Sequence, residues 1–233
     1  MKKIVITGNI GSGKSKVTEI LKDLGYKTAS ADEISAKILE ENHKNITKMF
    51  SMPPQKFETF KKRLSDLVFM PKEYAQRDYK QELEDFMLPK INKEIEKLYK
   101  ENPEIIIEMP TFFENRGLKK ELQDEHFIIM VIADKDIRLK RIKKRNSNLS
   151  LDDIIQRMRS QIDPYEKKEY CDIIIWNNTD EDELVRKVND LSLTIRDIFE
   201  NDKQIKCQNC GSTNFAWCHN DDYCQDCGSR DVW

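Results

Sequence analysis

The 233-residue sequence has no long hydrophobic run and almost no net charge. Its longest apolar segments, such as FIIMVIA at 127–133, are far shorter than the roughly 20 residues that cross a bilayer. The formal net charge is −2, from 40 basic and 42 acidic residues. Nothing in this overall composition indicates a nucleic-acid or membrane partner. The N-terminus shows no signal-peptide pattern, so a cytoplasmic location is expected.

Cysteine is almost absent from the first 200 residues, where only Cys171 occurs. The other five cysteines crowd into the last 27 residues. This clustering is typical of a metal site in a reducing compartment and not of a disulfide framework.

The N-terminal segment contains a glycine-rich phosphate-binding motif. GNIGSGKS fits the pattern G-x-x-x-x-G-K-[ST], follows the apolar run 4–6 and precedes an amphipathic stretch at 17–24. Glycines let the backbone turn its N–H groups inward around phosphate oxygens at a helix N-terminus. Lys14 is expected to reach the β- and γ-phosphates of ATP, and the Ser15 hydroxyl to bind Mg²⁺. The residues predicted to contact ATP here are Gly8, Asn9, Ile10, Gly11, Ser12, Gly13, Lys14, Ser15 and Lys16.

Short β-type runs alternate with helical stretches along the rest of the chain, which favours an α/β fold with a parallel sheet. Strands are predicted at 3–7, 27–30, 104–108, 127–133 and 172–176. Helices are predicted at 14–24, 32–42, 136–144, 151–161 and 182–199.

Residues 43–102 interrupt this alternation. They are rich in Lys and Glu, and their prolines, Pro89 among them, are expected to end helices. We interpret the segment as a helical insertion on the acceptor side, with a solvated helical cover of no function as the alternative. Near residue 201 the composition changes, which predicts a domain boundary at about 201–205.

Two acidic residues follow predicted strands, at the sheet edge where ligands of α/β proteins bind. Asp32 could accept the proton of an acceptor hydroxyl, or it could simply cap the next helix. Glu108 could orient Mg²⁺, or it could be an ordinary acidic residue at a strand end.

Arginines recur on the predicted helices that follow 133. Arg138, Arg141 and Arg145 share one helix face, and Arg157 and Arg159 lie in the next helix. A mobile helical pair of this kind, at 146–169, could close over ATP and spread positive charge on its phosphates. Solvated basic helix faces are the alternative interpretation.

These motifs together resemble the dephospho-CoA kinase family over residues 1 to about 200. Seven pieces occur in the family's order: TGNIGSGKS, SADEIS, FKKRLSDLVF, EMPTFFENRGL, LKRIKKR, RMRSQ and EKKEYCDIIIWNN. The resemblance implies a P-loop kinase domain at 1–201 that phosphorylates the ribose 3′-hydroxyl of dephospho-coenzyme A. It also implies a five-stranded parallel sheet in the order 2-3-1-4-5.

The resemblance assigns roles to individual residues. Asp32 would act as the base and Arg141 as a lid cation, so that Lys14, Asp32 and Arg141 form the catalytic set. Arg145 would lie near the nucleotide, and Asn177 would border the ATP base. The residues expected to bind the acceptor are Asp32, Arg63, Pro110, Glu114, Arg157 and Gln161.

The chain departs from the family pattern on the acceptor side. Ser30 replaces an aspartate, Leu88 replaces a histidine, and Thr111 and Phe112 replace two leucines. A nucleoside or deoxynucleoside monophosphate kinase, including one for an unusual base, therefore stays open as an alternative. So does a nucleotide-dependent switch or adaptor that acts through the C-terminal segment.

The C-terminal segment 205–233 has the cysteine pattern of a zinc ribbon. Cys207 and Cys210 form one C-x2-C pair and Cys224 and Cys227 another, each followed by glycine, which predicts four thiolates around one Zn²⁺. Cys218 or His219 could replace one of them. From 201 onward there are three basic residues against five aspartates, which argues against nucleic acid and for packing or a protein partner.

Overall fold

The structure is a computed structural model that describes residues 2–70, 74–75, 77–146 and 149–201, and two short strands beyond them. The chain divides into two compact units, the larger from Lys2 to Val188 and the smaller beginning at Asn189. None of the described helices is long and apolar enough to cross a membrane.

The larger unit is built on a parallel sheet of five strands in the order β2-β3-β1-β4-β5, which confirms the predicted topology. The central strand β1 is inaccessible to solvent at Ile4, Val5 and Ile6, as expected for a strand covered on both faces. Because all the strands are parallel, their carboxyl ends meet at one edge. The strands are β1 (Lys3–Thr7), β2 (Thr28–Ser30), β3 (Ile106–Glu108), β4 (His126–Ile132) and β5 (Ile173–Trp176).

Helices connect the strands and cover the sheet. They are α1 (Lys14–Asp23), α2 (Ala31–Met49), α3 (Phe57–Val68), α4 (Tyr79–Glu101), α5 (Phe112–Arg116), α6 (Leu122–Glu125), α7 (Lys135–Arg145), α8 (Leu151–Arg159), α9 (Pro164–Lys167) and α10 (Glu181–Asn201). The five predicted helices correspond to α1, α2, α7, α8 and α10. The helix predicted at 32–42 continues to Met49 and so enters the segment read as an insertion.

The described residues of the segment 43–102 include the end of α2 and all of α3 and α4, so they are largely helical, as predicted. These helices pack around a core of their own that includes Ile46, Phe60, Leu64 and Met87. The prediction that Pro89 ends a helix was wrong, because Pro89 lies inside α4. Proline removes one backbone hydrogen bond there, and the buried contacts of the helix on both sides of it offset that loss.

Helix α4 is also fixed to the central strand. The Tyr99 hydroxyl donates a hydrogen bond of 2.9 Å to the carbonyl of Ile4. Burial raises the pKa of Tyr99, so this hydroxyl stays protonated and remains a donor.

The described part of the C-terminal segment is a short antiparallel pair, β6 (Phe215–Ala216) with β7 (Tyr223–Cys224). Of the four predicted zinc ligands, Cys224 belongs to β7. The other three, Cys207, Cys210 and Cys227, lie outside the described residues, as do Cys218 and His219.

Candidate active site

The loop between β1 and α1 approaches its neighbours so closely that only glycine fits at three positions. Gly8, Gly11 and Gly13 all have positive φ, of 143°, 79° and 98°. A Cβ at any of them would come within 3.0 Å of another atom. The opposing atoms are the carbonyl oxygen of Val131, the carbonyl oxygen of Arg138 and the Asn177 side chain. The loop therefore packs tightly against β4, α7 and the segment after β5.

Side chains from distant parts of the chain hold the loop in this shape. Asn177 donates to the Ser12 carbonyl at 2.8 Å, and Arg141 donates to the same oxygen at 3.3 Å. Arg141 also donates to the Asn177 side chain. On the other flank, the Ile10 N–H donates to Gln161 at 2.8 Å. Contacts from α7, from the segment after β5 and from Gln161 thus hold the loop in place.

Lys14 lies in the first turn of α1 and is 7% exposed. Burial lowers its pKa, and the carboxylates of Glu108 and then Asp32 act in the opposite direction. Its ammonium group donates to the Asn9 carbonyl at 3.3 Å. A buried lysine with so few partners is suited to bind an anionic ligand.

Glu108 ends β3 beside two hydroxyl groups. Ser15 donates to one of its carboxylate oxygens at 3.2 Å, and Thr18 donates to the other at 3.4 Å. Burial raises the pKa of Glu108, although the positive charge of Lys14 opposes that shift. The Ser15 hydroxyl and a carboxylate are oxygen ligands of the kind that Mg²⁺ takes, so this pair fits the predicted metal.

Asp32 lies across the cleft from the loop. The helix α2 is capped by Ser30, whose side chain accepts from the Glu33 N–H, so the alternative that Asp32 caps this helix was wrong. Asp32 makes no hydrogen bond or ion pair with any residue that the structure describes.

Asp32 and the loop line one cavity of about 390 Å³. It collects residues from five segments of the sequence, the arginines of α7 included. Its lining is Ile10, Gly11, Gly13, Lys14, Ser15, Asp32, Glu108, Pro110, Thr111, Arg141, Ile142, Arg145 and Gln161. The buried Ser12 hydroxyl, next to this lining, has no partner within the described part of the chain. An unpaired hydroxyl, a buried lysine and a glycine cradle together fit a nucleotide phosphate.

Several residues predicted to bind ligands do not place their side chains in the cleft cavity. Arg63 on α3 and Arg157 on α8 are exposed and do not line the cleft cavity. Lys16 turns its side chain outward to Glu181 and Glu19, which leaves only its backbone for a ligand.

Glu114, predicted to bind the acceptor, forms an ion pair that is largely buried. Its carboxylate accepts from Lys167 at 2.6 Å, and Lys167 is fully buried. Lys167 also donates to the Asn9 side chain, and both Asn9 and Glu114 bind the backbone of Ile162. The pair therefore ties the phosphate-binding loop to α5 and to the base of the predicted lid. Sequence reasoning missed this arrangement because its members are far apart in the chain.

A phosphate-binding loop, a cluster of cations and an acid facing them across an open cleft define a P-loop phosphotransferase that acts on a small molecule. The family model for dephospho-CoA kinase matches residues 3–183. The chain belongs to this family.

Known relatives agree with this assignment. A dephospho-CoA kinase of Campylobacter jejuni strain RM1221 is 37% identical over 182 residues, which cover 74% of this chain and 86% of that protein. A dephospho-CoA kinase of Wolinella succinogenes is 32% identical and covers 84% of this chain and 96% of its own length. The solved Campylobacter jejuni dephospho-CoA kinase superposes with a TM-score of 0.61 at 34% identity, over 87% of this chain and all of that one.

Gly13→Ala should weaken binding of an ATP analogue at least tenfold, about 1.4 kcal/mol. The new methyl group would displace the Asn177 amide, and with it the hydrogen bond to the Ser12 carbonyl. Isothermal titration calorimetry with Mg²⁺ and a non-hydrolysable ATP analogue measures the loss.

Gly25→Ala is the matched control. Gly25 also has positive φ, 94°, but a Cβ there meets nothing within 4 Å. This variant should lose about 1–2 kcal/mol of stability, the usual strain of a left-handed L-residue, and keep nucleotide affinity. Equal affinities in the two variants would show that the packing of the loop against Asn177 does not matter for binding.

Proposed function

We propose that the protein transfers the γ-phosphoryl group of ATP to the ribose 3′-hydroxyl of dephospho-coenzyme A. The observation that carries the proposal is the unpaired Asp32 facing Lys14 and two arginines within one cavity. Membership of the dephospho-CoA kinase family supports the identity of the acceptor.

Asp32 has the position and the freedom to act as the general base. It lies in the first turn of α2, in the same cavity as the loop, and it has no partner among the described residues. In this proposal its carboxylate orients the acceptor hydroxyl and takes its proton as the oxygen attacks phosphorus.

The cations of the cleft would hold the transferring group. Lys14 would contact the phosphates from the first turn of α1, and Arg141 and Arg145 would contact them from α7. Arg141 is already positioned by its bonds to Ser12 and Asn177, and Arg145 is exposed beside it. Such preorganised charges stabilise the transition state without having to reorient during the reaction. Ser15 and Glu108 would hold Mg²⁺, which neutralises phosphate charge when bound.

A second cavity next to Asp32 supports an acceptor with an apolar arm. It measures about 280 Å³ and lies between α2, α4 and α5. Leu39, Leu83, Met87 and Leu88 line it, together with Asp32. Leu88 therefore adds apolar surface where the family pattern has a histidine. Dephospho-coenzyme A carries a long pantetheine arm whose methyl and methylene groups could pack on this surface, and a nucleoside monophosphate has no such arm.

The acceptor assignment predicts a clear preference in steady-state assays with ATP and Mg²⁺. The value of kcat/KM for dephospho-coenzyme A should exceed those for AMP, dAMP, CMP and dTMP by at least 100-fold, about 2.7 kcal/mol. A nucleoside monophosphate that reacts better would establish the alternative monophosphate kinase. ATP binding without transfer to any acceptor would instead favour the switch or adaptor.

Asp32→Asn should lower turnover by about 10²–10⁴-fold and leave ATP affinity nearly unchanged, because it removes the proton acceptor and keeps the shape. Glu33→Gln is the control, since it removes a negative charge from the neighbouring exposed position of the same helix turn. Turnover should survive in that variant. A loss of ATP binding in Asp32→Asn, with normal turnover of the bound complex, would make Asp32 a structural residue.

We propose further that residues 205–233 form a zinc ribbon appended to the kinase domain 1–201. The antiparallel pair of β6 and β7 lies between the first cysteine pair and Cys227, which is consistent with a hairpin joining two metal-binding turns. The ribbon would pack on the kinase domain or recruit a protein partner.

Metal analysis of the purified full chain should find about one Zn²⁺ per molecule. Cys210→Ser should lose the metal because it removes one of four thiolates, whereas Cys218→Ser should retain it. Loss of zinc in Cys218→Ser and not in Cys210→Ser would mean that the ligand set is wrong. A wild-type chain purified without zinc, and unable to take it up, would dismiss the ribbon.

A further inference from the structure

Arg138 on α7 is a buried cation that the proposed reaction does not use. It is 7% exposed, and its Nε and one terminal nitrogen are inaccessible and have no hydrogen-bond partner in the described residues. Burial lowers the pKa of Arg138, and the carboxylate of Asp163 is the largest opposing influence. An unpartnered guanidinium is costly to bury, because its hydration is lost and nothing replaces it.

Arg138 lines a cavity of about 280 Å³ that is distinct from the cleft and shares only Gln161 with it. Two further cations line the same cavity, Lys135 from α7 and Arg159 from α8. Both are exposed, and neither forms an ion pair within the described residues. Three positive charges thus converge on one concave space.

Asp163 is the single acidic residue of this lining, and its carboxylate already accepts a hydrogen bond. Its Oδ1 accepts from the Tyr165 N–H at 2.8 Å and so caps α9. No ion pair joins Asp163 to Arg138 in the described structure. The cavity therefore keeps an excess of positive charge, and the guanidinium of Arg138 has no carboxylate paired with it in the described residues.

We propose that this cavity binds a phosphate group, free or as a monoester, with Arg138 as its principal ligand and Lys135 and Arg159 as secondary ones. Arginine and a phosphate oxyanion match in charge and in the geometry of their hydrogen bonds. The bound group would contact α7 on one side and Arg159 of the predicted lid on the other. It would also lie beside Gln161, which accepts from the loop at Ile10. Phosphate would therefore link the lid to the loop at a point outside the catalytic cleft.

The test measures binding on the full chain with the cleft already filled. The protein is saturated with Mg²⁺ and a non-hydrolysable ATP analogue, and inorganic phosphate and glycerol 3-phosphate are titrated at constant ionic strength by calorimetry. Wild-type protein should bind at least one of them in a saturable way, and the tighter of the two identifies free phosphate or a monoester as the source. Arg138→Gln should bind at least tenfold more weakly. Lys143→Gln, which removes one charge from an exposed position of the same helix, should bind as the wild type does.

The proposal is overturned if the saturated wild type binds neither probe, or if Arg138→Gln binds as tightly as Lys143→Gln. Should Arg138→Gln fail to fold, judged by circular dichroism, Arg159→Gln decides. It should weaken binding severalfold, and unchanged affinity would reject the site. Because the readout is binding and not turnover, the result is independent of which acceptor the enzyme phosphorylates.

Discussion

The close approach of the phosphate-binding loop to its surroundings is the constraint on which the rest of the site depends. At Gly8, Gly11 and Gly13 the backbone leaves no room for a side chain against β4, α7 and the segment after β5. The same contacts bring Arg141 and Asn177 to the Ser12 carbonyl. One short loop thus fixes the relative positions of the phosphate cradle and the arginines of α7. Contacts that hold a site in its binding shape reduce the loss of affinity that comes from ordering the site when a ligand binds.

A buried ion pair supports this loop from the other side. Lys167 and Glu114 meet at 2.6 Å with the lysine fully buried. Lys167 also donates to the Asn9 side chain, and Glu114 accepts from the Ile162 N–H. Taking two charges out of water is expensive, and removing one partner of such a pair typically costs about 3–5 kcal/mol. The main role of the pair is therefore to position the loop, and not to add stability. It connects the loop to α5.

Much of the fold could be predicted because local sequence patterns, such as apolar runs and helical periodicity, indicate its strands and longer helices. Four of the five strands, all but β2, contain short apolar runs. The loop motif, Asp32 and Glu108 lie at the carboxyl ends of predicted strands, so candidate site residues could be placed at that edge of the sheet. Helices of four or five residues, such as α5, α6 and α9, were missed because they are too short to show a period. The prediction at Pro89 was wrong for a different reason. Proline is a strong local signal for a helix end, but the packing of α4 outweighs it.

The partners of individual side chains were less predictable. Glu114 and Gln161 belong to the family motifs, but their contacts are with Lys167 and with the loop backbone, 53 and 151 residues away in sequence. Ser30 illustrates a third case. Read as a departure from the family pattern, it proves to be the residue that caps α2. Such contacts depend on how distant segments meet, which no single motif encodes.

In the proposed reaction a phosphoryl group passes from ATP to an acceptor hydroxyl in the cleft between Lys14 and Asp32. Phosphorus NMR of a reaction of the wild-type protein with ATP, Mg²⁺ and dephospho-coenzyme A tests it most directly, because it identifies the atom that receives the group. We expect a new phosphomonoester on the ribose 3′-oxygen that appears in step with ADP. Formation of ADP and inorganic phosphate with unchanged dephospho-coenzyme A would contradict it.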